Sequence, residues 1–513
     1  MKLRIGSRKS DLARIQAYAV GNAIKAAHPE VEIQYSFKES LGDINLTDPL
    51  WKMPEKGVFT EDFVEDLKQN RVDIVVHSWK DLPTAPRPGL EIIATLPRAD
   101  ARDVFLLKNS RWPMAVQKDT IRILSSSPRR EYNLKPFFRW ALPHPFSQVE
   151  FLPVRGNVQT RIKKLLEQEV DGLIVAKAAL DRLLSADASE FAASKSILRQ
   201  YLSDLKFMVL PLEANPTAAA QGALAIECLS NRSDLKNIFN KVNCATTKSL
   251  VEEERKVLAS HGGGCHQKIG ISVQQLSHTS LMTLKGLTDT GVLLNERKIL
   301  EGNDSDASKQ LSNAKKLASP EHYFPHQLSE MDWFERSALP NQFAATQKIE
   351  QEHGYYVSKA NALPDDAPFD FANSYLWTAG LETWRKLARR GQWVHGSSEG
   401  LGEMELAPRI DIIAGKRIPW IKFTHKDSKA TGTMTALATY QLQVKADKIP
   451  DLSQKTYLYW PSYSHFASAT ERYPQLLRAQ HFSGPGHTKN LIEAKTGSKV
   501  HVCLSFDDFL KKF

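Results

Sequence analysis

Cysteine is scarce in this sequence. The chain has four in 513 residues, Cys228, Cys244, Cys265 and Cys503, with no CxxC pair among them. So sparse a set excludes a disulfide framework, and reduced thiols with no metal are expected. Long apolar runs are also lacking, and none approaches the roughly 18 residues that a membrane helix needs. The N-terminus, MKLRIGSRKSDLARIQ, is charged within its first ten residues and has no apolar signal core. A cytoplasmic protein without a membrane partner is expected. A basic tract is missing too, although the formal charge is +10. The cations recur in short pairs beside serine and glycine turns, a pattern suited to pockets for discrete small anions. A small polycarboxylate is therefore the expected partner. Nucleic acid is the less favoured alternative, because it calls for a continuous positive track, and no nucleic-acid partner is expected.

A hydrophobic content of 42% and a charged content of 25% are ordinary for a globular protein. The length implies about three or four domains. Strand and helix patterns alternate from the start. LRIGS (3–7) reads as a strand, and Ser10 and Asp11 open a helix running to about Ala27. VEIQYSF (31–37) and VDIVVHS (72–78) read as strands, with a helix at 58–69 between them. DVFLL, IRILSSS, VEFLPVRG and DGLIVAKAAL continue the alternation, which implies α/β layers with parallel sheets.

In such sheets ligands collect beyond the carboxyl ends of the strands. Those positions hold Arg8 and Ser10, then His77, Ser78, Lys80 and Asp81, then Ser125, Ser126, Ser127, Arg129 and Arg130, then Arg155 and Arg161. Four strand ends thus carry cations, and a lone carboxylate stands among them. In SSSPRR, Ser127 suits an N-cap and Pro128 the first helical position. Two arginines in that first turn oppose the helix dipole. An anion there would resolve the conflict, and a ligand carboxylate or phosphate is expected.

RIGSRKSDLA, EKGVFTEDFVEDL, VDIVVHSWKDLPT, SSSPRR, VRGNVQTR, AAAQGALAIEC and GGGCHQKIG follow one another in this order. Together, over roughly residues 1 to 320, they resemble the porphobilinogen deaminases (hydroxymethylbilane synthases). The resemblance implies a transferase of tetrapyrrole biosynthesis that condenses four porphobilinogens into linear hydroxymethylbilane. It implies a dipyrromethane cofactor joined by a thioether to Cys265, with Asp81 as the essential carboxylate. Arg8, Ser10, Lys80, Ser126, Ser127, Arg129, Arg130, Arg155, Arg161, Arg182 and Gln221 would hold the carboxylates of cofactor and chain. Lys52, Lys56 and Phe59 would belong to a lid. The implied fold has two lobes like those of periplasmic binding proteins, residues 1–100 with 200–225 and residues 101–199. A smaller α/β domain, 226–320, would carry Cys265, and a monomer is expected. A non-catalytic solute-binding protein is the rival, and Asp81 with Cys265 argues against it. The sequence departs from the family's habit at Asp11, Pro128 and Ala220, where proline, leucine and glycine are usual, and in the HQKIG that follows Cys265.

Beyond residue 328 the pattern changes. Residues 335–360 read as turn, amphipathic helix, strand; 375–391 and 457–473 read as strand, turn, helix. QWVHGSSEGLGE (392–403) and AQHFSGPGHTKNLIEA (479–494) read as strand, glycine turn, helix start, making a weak internal repeat. This order resembles the two-lobed uroporphyrinogen III synthase, whose few functional residues would fall on Thr378, Tyr440, Ser462 and Thr488. The alternative is a binding or docking region without catalysis. Fusion would let a second site capture hydroxymethylbilane at raised effective concentration, before it closes to the wrong isomer.

Overall fold

A computed structural model describes residues 1–39, 61–111, 119–144, 146–264, 267–277, 279–300, 320–339, 353–363, 374–428 and 432–513. The expected lid residues Lys52, Lys56 and Phe59, and Cys265 itself, lie outside these. Among the described residues the chain is a mixed α/β protein with several sheets.

The strands are β1 (Lys2–Arg8), β2 (Glu32–Lys38), β3 (Ile74–Ser78), β4 (Leu90–Ala94) and β5 (Asp103–Lys108). They continue with β6 (Thr120–Leu124), β7 (Gln148–Leu152), β8 (Gly172–Ala176), β9 (Leu205–Val209) and β10 (Leu224–Leu229). One sheet has the order β2-β1-β3-β10-β4, the other β7-β6-β8-β5-β9. The parallel pairings expected from sequence hold for β1 with β2 and β3, and for β6 with β7 and β8. They fail at β10 and β5, which run antiparallel to both neighbours. Each is the strand by which the chain enters from the other sheet, so it arrives from the opposite end. The helix Ser233–Val242 lies past residue 225 but packs on the first sheet, where Leu235, Ile238 and Phe239 join Leu3, Ile5 and Val20 in one core.

Next come β11 (Gly270–Gln275), β12 (Ser280–Leu287) and β13 (Leu293–Leu300), an antiparallel meander covered by the helix Ala245–Ser260. Buried Glu254 on that helix ties it to the rest. Its carboxylate accepts from Arg98 at 2.7 and 3.0 Å, and from the backbone N–H groups of Ala220 and Val273, both at 2.7 Å. Ala220 sits at φ +66°, a left-handed conformation that accounts for the glycine usual there.

The C-terminal strands are β14 (Tyr323–Phe324), β15 (Phe334–Ala338), β16 (Gly354–Val357), β17 (Tyr375–Thr378), β18 (Gly396–Ser397), β19 (Trp420–His425) and β20 (Thr435–Val444). The last are β21 (Tyr457–Trp460), β22 (Gln480–Ser483) and β23 (His501–Val502). They form a six-stranded sheet, β15-β20-β19-β16-β17-β18, and a four-stranded one, β14-β21-β22-β23. The expected turn at 335–338 is strand β15, paired with β20. No helix opens after the glycines of 392–403. Glu399, Gly400 and Gly402 take φ of +53°, +75° and +100°, which breaks any helical start.

This region is built onto the lobe of β5–β9 rather than tethered to it. Trp384 and Trp393 donate their indole N–H groups to the carbonyls of Ala141 (2.9 Å) and Phe207 (3.0 Å). Both indoles sit in one core with Phe105, Phe137 and Met208. Val209 N–H reaches the His395 carbonyl at 2.7 Å, placing β18 along the edge of β9. The buried Glu399 carboxylate accepts from the N–H groups of Leu212 (2.9 Å) and Glu213 (2.7 Å).

Candidate functional site

The strand ends of the first two sheets face a common cleft. Arg8 and Ser10 from the end of β1, Ser78, Lys80 and Asp81 from the end of β3, Arg182, and Gln221 before β10 line one cavity of about 120 Å³. Asp81 closes a single 3-10 turn, Trp79–Asp81, and its side chain is exposed. Lys80 donates to the Gln221 side-chain oxygen Oε1 at 3.2 Å, and Arg182 to the Gly222 backbone carbonyl at 2.7 Å. Gln16 and Ser78, bonded at 3.0 Å, complete the wall beside β3.

Arg129 and Arg130 enter from the helix Pro128–Ala141, where a carboxylate of the chain itself meets them. The anion expected at this helix start belongs to the protein. Asp103, the first residue of β5, is fully buried. Its carboxylate accepts from Arg130 Nη2 (2.6 Å) and Nε (3.0 Å) and from Arg129 Nη2 (3.1 Å). The amides of Asn215 and Gln221 donate to it as well, each at 2.9 Å. Burial alone would raise the Asp103 carboxyl, but Arg130 and Arg129 hold it far below the ordinary carboxylate range. Arg129 also donates to the Asn215 side chain (2.9 Å) and the Pro216 carbonyl (2.8 Å), so it braces the cleft from behind. Ser127 caps the helix by accepting from Arg130 N–H at 3.4 Å. The Ser126 hydroxyl donates to the Val154 carbonyl (2.7 Å) and accepts from the Val154 N–H (2.8 Å), joining the ends of β6 and β7.

The cations nearest Asp81 are differently placed. Burial and then the neighbouring Arg130 and Arg155 bring Arg161 down to about 10, against the pull of Asp81. The Lys80 ammonium is lowered chiefly by burial, with Arg130 adding to it and Asp81 opposing. Burial brings Arg182 to about 10. Arg161 and Arg182 remain protonated at neutral pH, in a crowd where basic side chains outnumber Asp81 and Asp103. Such a cleft has an electrostatic vacancy for carboxylates and suits a polycarboxylate such as dipyrromethane. Asp103 and Asn215 were not singled out from sequence. Nothing local marks them, because Asp103 meets its arginines only through the β5 crossover.

In the C-terminal region Thr378 and Tyr440 belong to the six-stranded sheet, while Ser462 and Thr488 follow strands of the four-stranded one. Thr378 is fully buried and donates to the Gly396 carbonyl at 3.4 Å. Tyr440 packs into the shared core, and burial raises its hydroxyl, which stays protonated. Ser462 Oγ lies 2.7 Å from His465 Nδ1, and His465 Nε2 lies 2.9 Å from the Met331 carbonyl. A carbonyl only accepts, so Nε2 carries the hydrogen and Nδ1 accepts from Ser462. Burial lowers His465 to about 4, keeping the ring neutral. The lobes touch where Leu401 and Gly402 meet Gly486, two residues before Thr488. Arg336 and Lys359, also not picked out from sequence, act electrostatically on His465, and Arg336 acts on Tyr440 as well. The Ser-x-x-His spacing at 462–465 was the available signal for His465.

Residues 3–237 match the family model described as porphobilinogen deaminase, dipyrromethane cofactor-binding domain. The porphobilinogen deaminase of Syntrophomonas wolfei is 34% identical over 263 residues, 51% of this chain and 78% of that protein. That of Clostridium beijerinckii is 33% identical over 318 residues, 62% of this chain and 98% of its own length. Among solved structures, YhfZ from Shigella flexneri aligns with 51% of this chain and 91% of its own at 12% identity and a TM-score of 0.25, too weak a likeness to add to the argument. With the relatives matched over most of their length, the chain belongs to the porphobilinogen deaminase family and contains that family's dipyrromethane cofactor-binding domain.

Proposed function

We propose that this chain is a hydroxymethylbilane synthase that couples four porphobilinogens with loss of ammonia, and that its C-terminal region closes the product to uroporphyrinogen III. The observation that carries the first part is the exposed Asp81 carboxylate acting on Lys80 and Arg161, with Arg130 and Arg155 close to that same Arg161. Each porphobilinogen brings an acetate and a propionate, which the cations would hold. As ammonia leaves, positive charge develops on the pyrrole, and Asp81 stabilises it at short range. The same carboxylate can accept the proton released when the new carbon–carbon link regains aromaticity. Gln221 steadies Lys80 beside it. When bound, the dipyrromethane supplies the free pyrrole α-carbon that receives the first unit.

The matching orders of the first two sheets, each with one antiparallel strand delivered by a crossover, support the reading of two periplasmic-binding-protein-like lobes around the cleft. The assignment of the thioether to Cys265 rests on the family motif. It is supported by the chemistry of two of the three other cysteines. Burial raises the Cys228 and Cys503 thiols to about 12, which leaves them protonated and poorly nucleophilic. Intact mass tests it. The wild type is expected to carry the excess of two linked pyrroles, and Cys265→Ala is expected to lack it. A wild type that stays unmodified after incubation with porphobilinogen would overturn the assignment.

The second part rests on the two-sheet layout, the cations Arg336 and Lys359, and the neutral Ser462–His465 pair on the inter-lobe side. Tyr440, held protonated, is suited to donate to the departing hydroxyl of the linear tetrapyrrole. Tyr440→Phe combined with Thr488→Val is expected to shift the cyclised product from the III isomer toward the spontaneous I isomer, as read by chromatography after oxidation. An unchanged isomer ratio would leave the region as a docking module.

A further inference from the structure

A second pocket lies apart from the catalytic cleft, between the helix Pro128–Ala141 and the β11–β13 meander. It encloses about 730 Å³. Its lining divides by chemistry. Tyr132, Pro136 and Leu293 give flat apolar surface, whereas Lys268 and Lys285 give positive charge. Two features of the lining are costly without an occupant. Asn133 is fully buried, yet its Oδ1 has no hydrogen-bond donor among the described residues, and such an acceptor is rarely left unsatisfied. Leu293 on the rim is 68% exposed, and its neighbour Val292 is 56% exposed.

The charge is uncompensated too. Lys135 at the pocket pairs with Glu131 at 2.6 Å. Glu213, the carboxylate that acts on Lys285, is paired with Arg297 at 2.8 Å. Lys285 donates only weakly, to the Ala214 carbonyl at 3.4 Å, and burial lowers its ammonium. Lys268 is exposed and makes no ion pair among the described residues.

We propose that this pocket binds a pyrrole carboxylate as a regulatory ligand, with carboxylates on Lys268 and Lys285, a pyrrole N–H donated to Asn133 Oδ1, and the ring against Tyr132 and Leu293. The ligand class rests on the proposed deaminase function. A free monopyrrole and a cyclised tetrapyrrole share this chemistry. The position gives the pocket leverage on catalysis. One wall is the helix that presents Arg129 and Arg130, and the other is made by β12 and β13 with Lys268, which stands three residues after Cys265 in the chain. Beside this wall, β11 runs against the arginine itself: a Cβ on Gly270 would lie 3.2 Å from Arg129 Cδ, and Ile271 N–H bonds the Thr217 carbonyl at 2.8 Å. Occupancy clamps the meander against the helix.

The test uses the full-length protein and the double variant Lys268→Ala/Lys285→Met, which spares every residue placed in the cleft. Uroporphyrin III, which is not a substrate, is titrated by its fluorescence, and porphobilinogen turnover is followed over a wide concentration range. Loss of two charge-assisted hydrogen bonds is expected to weaken porphyrin binding by about tenfold or more, with turnover at low porphobilinogen unchanged. A tetrapyrrole source appears as porphyrin binding that the variant loses. A monopyrrole source appears as inhibition at high porphobilinogen that the variant lacks. Porphyrin affinity identical in both proteins, together with identical rate curves, would overturn the proposal. Absence of any tetrapyrrole formation from porphobilinogen would instead sink the deaminase reading, and the porphyrin titration would still report on the pocket.

Discussion

Asp81→Asn is expected to lower kcat for tetrapyrrole formation by about 10²–10⁴, the range associated with loss of one positioned electrostatic or acid–base group. The fold should be unaffected, because Asp81 is exposed on a single turn outside the core. The substitution also removes a negative charge from a crowd of cations that must bind carboxylates. The Michaelis constant for porphobilinogen should therefore stay level or fall while kcat collapses. That split distinguishes a group acting on developing charge from one that merely holds substrate. A rise in KM with kcat intact would reverse the assignment and make Asp81 a binding residue. Steady-state rates, read as absorbance of the oxidised product, decide between them.

The largest structural effect is expected at Asp103. Asp103→Asn keeps the size of the side chain but leaves Arg129 and Arg130 buried without their anion. Removing one partner of a buried charge cluster costs about 3–5 kcal/mol. For a unit of this size that is a fall of roughly 6–20 °C in its melting transition. The pH dependence has a definite sign. The native Asp103 carboxyl is held far below its unfolded value of about 4, so its contribution is fully present above that pH. It is lost progressively as the pH falls below about 4 toward the native value. Asp100, held low by Arg102 and Lys177 against the effect of burial, behaves alike. The wild type should therefore lose stability in acid more steeply than Asp103→Asn. Calorimetry at pH 7 and pH 3 checks both statements, and equal melting temperatures for the two proteins at pH 7 would show that the network is not holding the lobe.

The layout of the cleft was legible because its residues sit at fixed offsets from apolar strands. Arg8, Lys80, Asp81 and Arg161 each follow a recognisable strand or helix start, and the topology then gathers them. What was not legible depends on chain crossings. Asp103 looks like an ordinary strand start, and only the antiparallel insertion of β5 sets it against the helix that begins at Pro128. For the same reason two arginines that sequence assigns to a ligand are satisfied largely from within. The C-terminal region presents the same difficulty. Trp384, Trp393 and Glu399 carry no local sign of what they meet. Their partners, Ala141, Phe207, Leu212 and Glu213, lie about 190 to 240 residues away. Local pattern carries no information at that range.

The exchange of strands between the first two sheets also sets a timetable for synthesis. In the sheet order β2-β1-β3-β10-β4, the strand β4 has no strand partner other than β10 among the described residues. About 130 residues separate the two along the chain. At about 5–20 residues per second, the ribosome takes roughly six to twenty-five seconds to deliver β10 after β4 has been made. Throughout that interval the facing edges of β3 and β4 stand open to any passing strand. The N-terminal lobe is thus first in sequence but closes only after its neighbour's strands have been made, and the nascent chain is the form of this protein most exposed to mispairing.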